Sequence, residues 1–159
     1  DYYFFIYAFP AISSGGCASI SNEGKGDLER MILLGNSPSK EDLKKLVPNA
    51  FRRMEEKLGS DYWTIDNIRQ YWWVEHNKII DNREEGYETA IDEAAELCKV
   101  KFYEVVEDGN LKIKLKGKNG REAIALNYRG LELKPGVYVT THLGFVVEEI
   151  DKKDFEEYG

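Results

Sequence analysis

The spacing of apolar residues changes character part-way along the chain. Between about residue 27 and residue 98, apolar positions recur at helical intervals, as in the stretch that begins at Thr64. From Lys99 onward, apolar and polar residues alternate in short runs separated by turn signals about ten residues apart. The pattern therefore predicts an early helical part and a late part built from short strands.

Turn and capping residues divide both parts into elements. Ser39 and Thr64 are predicted N-caps, and Pro48 is predicted to kink or restart a helix. Residues 1–9 fit either a strand or a helix, and residues 10–26 are predicted to form a loop. The predicted helices cover residues 27–35, 39–47, 49–59, 65–80, 84–98 and 151–158, and the predicted strands cover residues 100–107, 111–118, 121–128 and 137–149.

This order of elements predicts an α+β fold. We place a mainly helical domain at residues 1–97 and a small β-barrel domain, ended by a short helix, at residues 98–159. Residues 1–97 hold 11 Lys and Arg against 18 Asp and Glu, whereas residues 98–159 hold 11 of each. Neither part is basic, so we expect no nucleic-acid partner.

Cysteine usage and the apolar N-terminus bear on the compartment. The two cysteines, Cys17 and Cys98, lack zinc-finger or disulfide-scaffold spacing, which favours reduced thiols and a cytoplasmic protein. The apolar stretch at the N-terminus has about nine residues, too few to span a membrane, and lacks the features of a signal peptide. We therefore expect no membrane association.

The two histidines are each paired with a cysteine as candidate sites. On a single strand 137–149, His142 would share its face with Tyr138 and Thr140, the more accessible side, where a neutral imidazole can bind a metal or a thiolate. Gly144 would leave room beside that imidazole. A second candidate site pairs Cys17, in a Ser/Gly-rich loop, with His76 as nucleophile and base.

Residues 98–158 resemble the HypC/HupF family of [NiFe]-hydrogenase assembly chaperones. The resemblance rests on Cys98, the Asp108-Gly109 turn, "GREAIAL" from Gly120 and, most specifically, "GVYVTTHLGFVVEEID" from Gly136. It implies an OB-like barrel and a non-enzymatic assembly factor. The implied partners are a HypD-like maturation protein and the hydrogenase large-subunit precursor.

The resemblance also implies functional residues and a cargo. Cys98 and His142 would form a possible iron site that transiently carries an Fe(CN)2CO unit, and Gly144 and Phe145 would join them in contacting the partner. Two alternatives remain open. The chain could be a small cytoplasmic thiol enzyme that uses a Cys/His pair. It could also be a HypC-like interaction module that has lost iron chemistry, with Cys98 as a structural thiol on the face of Ala95.

Overall fold

A computed structural model describes residues 1–15 and 22–159, with no account of the Asn22 side chain. The chain divides into two compact units, Asp1–Glu75 and His76–Gly159. In chain order the elements are α1 (Tyr2–Ser13), α2 (Asn22–Leu33), α3 (Lys40–Leu46), α4 (Pro48–Leu58), α5 (Ile65–Gln70), a π-helical segment (Tyr71–Glu75), α6 (His76–Asp81), α7 (Asp92–Cys98), β1 (Lys101–Gly109), β2 (Lys112–Lys116), β3 (Glu122–Leu126), β4 (Tyr138–His142), β5 (Phe145–Ile150) and α8 (Lys152–Tyr158).

The described part of the unit Asp1–Glu75 is helical, as the apolar spacing predicts. Residues 1–9, for which strand and helix were both open, lie in α1, and that helix continues through Pro10 into the predicted loop. Ser39 accepts a hydrogen bond from the backbone N–H of Asp42, and Thr64 accepts one from that of Asn67. Both predicted N-caps are therefore confirmed, and Pro48 stands in the first turn of α4.

The helix predicted at residues 65–80 contains a change of pitch. Its middle, Tyr71–Glu75, is π-helical, so the backbone carries an extra residue per turn there. Trp72 and Trp73 are both buried in this segment. Trp73 donates a hydrogen bond of 2.6 Å to the hydroxyl of Tyr7 within the same unit.

The helix predicted at residues 84–98 is shorter in the structure. Arg83, Glu85 and Gly86 have φ values of 56°, 51° and 100°, which a right-handed helix does not allow. Helix α7 therefore begins only at Asp92 and ends at Cys98. Ile91 precedes the helix and is 68% exposed, whereas Ala95 within the helix is buried.

The strands of the unit His76–Gly159 form a closed five-stranded barrel in the order β1-β2-β3-β5-β4. Neighbouring pairs are antiparallel except β3 and β5, which run parallel and are joined by the single pair Leu126 and Phe145. The core of the barrel is made of small and branched apolar side chains, namely Val105, Ile113, Leu115, Ala125, Leu133, Val139 and Val146. Helix α8 docks through Phe155, whose ring stacks on Tyr138 with centroids 4.6 Å apart.

The strand predicted at residues 137–149 is two strands in the structure. β4 ends at His142 and β5 begins at Phe145, and these two residues pair across a two-residue turn. Leu143 and Gly144 both have positive φ, 51° and 78°, as a type I′ hairpin turn requires. A chain that reverses direction at these residues cannot continue as one strand. The conformation of this turn accounts for the glycine in the sequence.

Candidate functional site

His76 brings together three of the four predicted cysteine and histidine residues. Its Nε2 lies 3.1 Å from the backbone carbonyl oxygen of Cys98. Its ring meets the ring of His142 edge-on, with centroids 5.5 Å apart and planes at 87°. We call Cys98, His76 and His142 the Cys/His cluster, and all three lie in the unit His76–Gly159.

The first turn of α6 holds the segment that leads from Cys98 into β1. His76 bonds the carbonyl of Cys98, and Asn77 bonds both backbone groups of Val100. The Asn77 amide donates to the Val100 carbonyl at 2.8 Å, and its oxygen accepts from the Val100 N–H at 2.9 Å. These are the two bonds that a neighbouring strand would make, so α6 fixes Cys98 relative to the barrel.

His142 reaches the cluster from the end of β4. Strand β1 pairs Lys101 with Thr141, and one further step along this antiparallel register places His142 opposite Val100. His142 is only 2% exposed, and all of β4 from Val139 is buried. The prediction that His142 lies on an accessible face is wrong, because the His76 ring from α6 packs against the His142 ring.

Burial sets what the two histidines can do. His76 is 5% exposed, and its edge-on contact with His142 leaves no room for solvent between the rings. Burial disfavours a charged imidazole, and two charged imidazoles in contact would repel each other. The arrangement therefore suits histidines that position the chain, rather than a solvent-exposed general base.

Cys98 is the least buried member of the cluster. It ends α7, is partly exposed, and carries a thiol that is not in a disulfide. Two cations, Lys99 and Lys101, closely follow Cys98 in the sequence and would favour a thiolate if they lay against the thiol. Instead, Lys99 forms ion pairs with Asp81 and Glu96, and the Lys101 ammonium lies 3.3 Å from Glu96.

These ion pairs shift the pKa of Lys99 and that of Glu96. Desolvation lowers the pKa of Lys99, but its hydrogen bonds to Asp81 and Glu96 outweigh that effect and raise it above the ordinary value. The hydrogen bond from Lys99, more than any other contact, holds the pKa of Glu96 below its usual range. Asp81 and Glu96 thus neutralise the positive charges of Lys99 and Lys101, which follow Cys98 in the sequence.

Gly144 and Phe145, the two other residues predicted to contact the partner, differ in their surroundings. A side chain at Gly144 would meet no atom within 4 Å, so the turn faces open space. Phe145 is partly buried and packs edge-on against Tyr128, with ring centroids 5.4 Å apart. The open space beside Gly144 therefore lies at the tip of the β4–β5 hairpin.

The second predicted site, Cys17 with His76, is only half described. Cys17 lies outside the described residues, whereas His76 takes part in the Cys/His cluster. Within residues 1–15 and 22–159, no group of three His, Cys, Asp or Glu side chains converges to hold a metal ion. Sequence reasoning missed Asn77, because an asparagine inside a predicted helix carries no local signal of a role in holding a strand.

No protein-family model, curated protein or solved structure matches this chain. Among the helices of the described residues, none combines the length and the apolar character needed to cross a membrane.

Proposed function

We propose that this chain is a non-enzymatic assembly factor of the HypC/HupF type. Its OB-like barrel would bind a HypD-like maturation protein or a hydrogenase large-subunit precursor in the cytoplasm, with Cys98 at the contact. One observation supports this proposal above the others. Cys98 and His142, which the resemblance singles out, are distant in the sequence but both contact His76.

The cluster has a chemistry that suits transient carriage of an Fe(CN)2CO unit. A thiolate is a good soft ligand for such iron, and Cys98 is the partly exposed member of the cluster. Helix α6 holds the backbone of Cys98 through His76, and Cys98 as a residue is partly exposed. A carrier needs only one protein ligand of this kind, because the cargo must pass to the next protein.

The test is binding of the full chain to each proposed partner, with Cys98→Ala and Cys17→Ala as a matched pair of thiol variants. We expect Cys98→Ala to weaken binding about tenfold or more, as the loss of a central contact does, and Cys17→Ala to leave it unchanged. Infrared bands of bound cyanide and carbon monoxide should appear on the unmodified chain and be absent from Cys98→Ala. Equal binding by the two variants would contradict a role for the thiol.

The two alternatives make different predictions in the same experiments. If the chain is an interaction module without iron chemistry, the Cys98→Ala variant should bind the partner as tightly as the unmodified chain does. Neither protein should then show infrared bands of cyanide or carbon monoxide. A small thiol enzyme would contain one cysteine that is alkylated rapidly below neutral pH, because its thiolate would be stabilised. Slow alkylation of both Cys17 and Cys98 would rule out the enzyme hypothesis.

A further inference from the structure

Part of the β3 edge is open in the barrel. The only pair between β3 and β5 is Leu126 with Phe145, at the last residue of β3. The rest of β5 is partly covered, because the Arg129 guanidinium donates to the Val147 carbonyl. In the described chain, residues 122–125 of β3 have no strand partner on the side away from β2.

The hydrogen-bond pattern shows which backbone groups face this edge. Arg121 accepts from Gly117 at 2.8 Å, and Asn127 donates to Leu111 at 2.8 Å, so both face the β2 side. Backbone groups alternate in direction along a strand, so the even-numbered residues of β3 face away from β2. Leu126 follows this rule and donates to the Gly144 carbonyl, which leaves the N–H and C=O groups of Glu122 and Ile124 pointing outward.

A cavity of about 110 Å³ lies beside the open edge. Its walls include Leu97, Leu115, Ala123 and Leu143, and Ile124 stands at its border. Leu97 is 54% exposed and Ile124 is 64% exposed. Two large apolar side chains are therefore exposed beside one small cleft.

The charges around the cavity restrict what enters it. Among the described residues that line it, the charged ones are Lys99 and Lys101. Asp81 and Glu96 bind both ammonium groups from outside the cavity, so two carboxylates balance the two lysines. An uncharged apolar side chain therefore fits this cavity better than a charged one.

We propose that the β3 edge binds an extended segment of a partner protein as an added strand. The segment would pair with the backbone of Glu122 and Ile124 and insert one large apolar side chain into the cavity. In this mode of recognition, main-chain hydrogen bonds supply affinity and a side-chain pocket supplies specificity. The inference goes beyond the proposed function, since it does not depend on the Cys/His cluster or on the identity of the partner.

A second copy of this chain fits the edge less well than a different protein does. If two β3 strands paired edge to edge, the side chains facing the two cavities would be the methyl groups of Ala123 and Ala125. Methyl groups leave a 110 Å³ cavity unfilled. The open edge is also short, whereas a stable dimer buries about 1,200–2,000 Å² in total.

The probe for this site is a phage-displayed library of random linear peptides, selected on the full chain. We expect the selected peptides to share one large apolar residue within a stretch that favours an extended conformation. Each synthesised peptide should slow hydrogen exchange at the amides of Glu122 and Ile124. Ile124→Pro removes the outward N–H but no bond to β2, so we expect roughly tenfold weaker binding. The matched Ile124→Val variant keeps that N–H, and we expect its affinity within about twofold of the unmodified chain.

The outcomes separate the possible occupants. Slowed exchange at Glu122 and Ile124 in the unmodified chain supports the proposal even if Ile124→Pro fails to fold. A library that yields no binder overturns it, as do peptides that bind without slowing exchange at these two amides. Concentration-dependent slowing of the same amides in the chain alone would assign the edge to a second copy and also overturn it.

Discussion

Asn77 provides the sharpest test of how the chain holds the Cys98–Val100 segment. Its amide makes bonds of 2.8 and 2.9 Å to the two backbone groups of Val100, a residue that is 2% exposed. Asn77→Ala removes both bonds and leaves the N–H and C=O of Val100 without this partner. A buried polar group that loses its hydrogen bond costs about 1–3 kcal/mol.

The lower end of that range applies here, because Asn77 itself is only partly buried. Two bonds at about 1 kcal/mol each predict a loss of about 2 kcal/mol in the free energy of unfolding. For a chain of this size, that loss lowers Tm by about 4–8 °C. The variant should still fold, because domains are typically stable by about 5–15 kcal/mol.

Asn77→Asp keeps the shape of the side chain and changes one donor into an acceptor. At neutral pH, a carboxylate oxygen would then face the Val100 carbonyl, and we expect at least the same loss as for Asn77→Ala. A protonated carboxyl can donate to that carbonyl, so folding raises the pKa of the introduced Asp above its unfolded value of about 3.9. The loss is therefore fully present above the folded-state pKa and disappears below the unfolded one.

The assay is urea denaturation followed by circular dichroism at neutral and acidic pH, with each variant compared with the unmodified chain at the same pH. Asn36→Asp, at an exposed position, is the matched control and should change the stability by less than about 0.5 kcal/mol. If Asn77→Ala falls within the same limit, the reasoning about the Val100 bonds is wrong. A destabilisation by Asn77→Asp that does not shrink in acid would refute its electrostatic part.

Two further predictions concern the hairpin and the ion pairs. Gly144→Ala should lower the free energy of unfolding by about 1 kcal/mol, because the φ of Gly144 is 78° and the added methyl group contacts no atom that could compensate. Gly26→Ala, inside α2 with negative φ and equally open space, should raise the free energy of unfolding by about 0.5–1 kcal/mol. Equal changes from the two variants, measured by urea denaturation, would contradict the conformational argument. Lys99 holds the pKa of Glu96 below its ordinary value, so the stability that Glu96 contributes is present above its unfolded pKa and is lost as pH falls through the folded one. Glu96→Gln should therefore flatten the acid side of the stability profile in urea denaturation, and an unchanged profile would show that the pair contributes nothing.

The capping and turn residues are where sequence reasoning is most reliable. Ser39 and Thr64 cap helices as predicted, Gly59 ends α4, and Asn119-Gly120 lies in the turn between β2 and β3. Each of these signals acts within a few residues of itself, through one hydrogen bond or one backbone angle. Such local preferences do not depend on what packs against them.

The candidate site was predicted only in part. Cys98 and His142 were paired from their resemblance to a family, and the structure brings both into contact with His76, which had been assigned to another site. The exposure of His142 was predicted wrongly, since one strand in isolation does not reveal that His76, on a helix far away in the sequence, packs against it. The Leu143-Gly144 turn was missed because the apolar alternation runs through it without a break.

The sequence by itself determined the helical and stranded parts, their order and most of their ends. These follow from apolar periodicity and from residues with strong backbone preferences. Only the tertiary structure decided that α6 holds the approach to β1, that His142 is buried, and that β3 keeps an open edge. The reason is that each of these depends on which backbone groups find a partner far along the chain. These long-range contacts form only when the barrel closes, and no local sequence pattern predicts them.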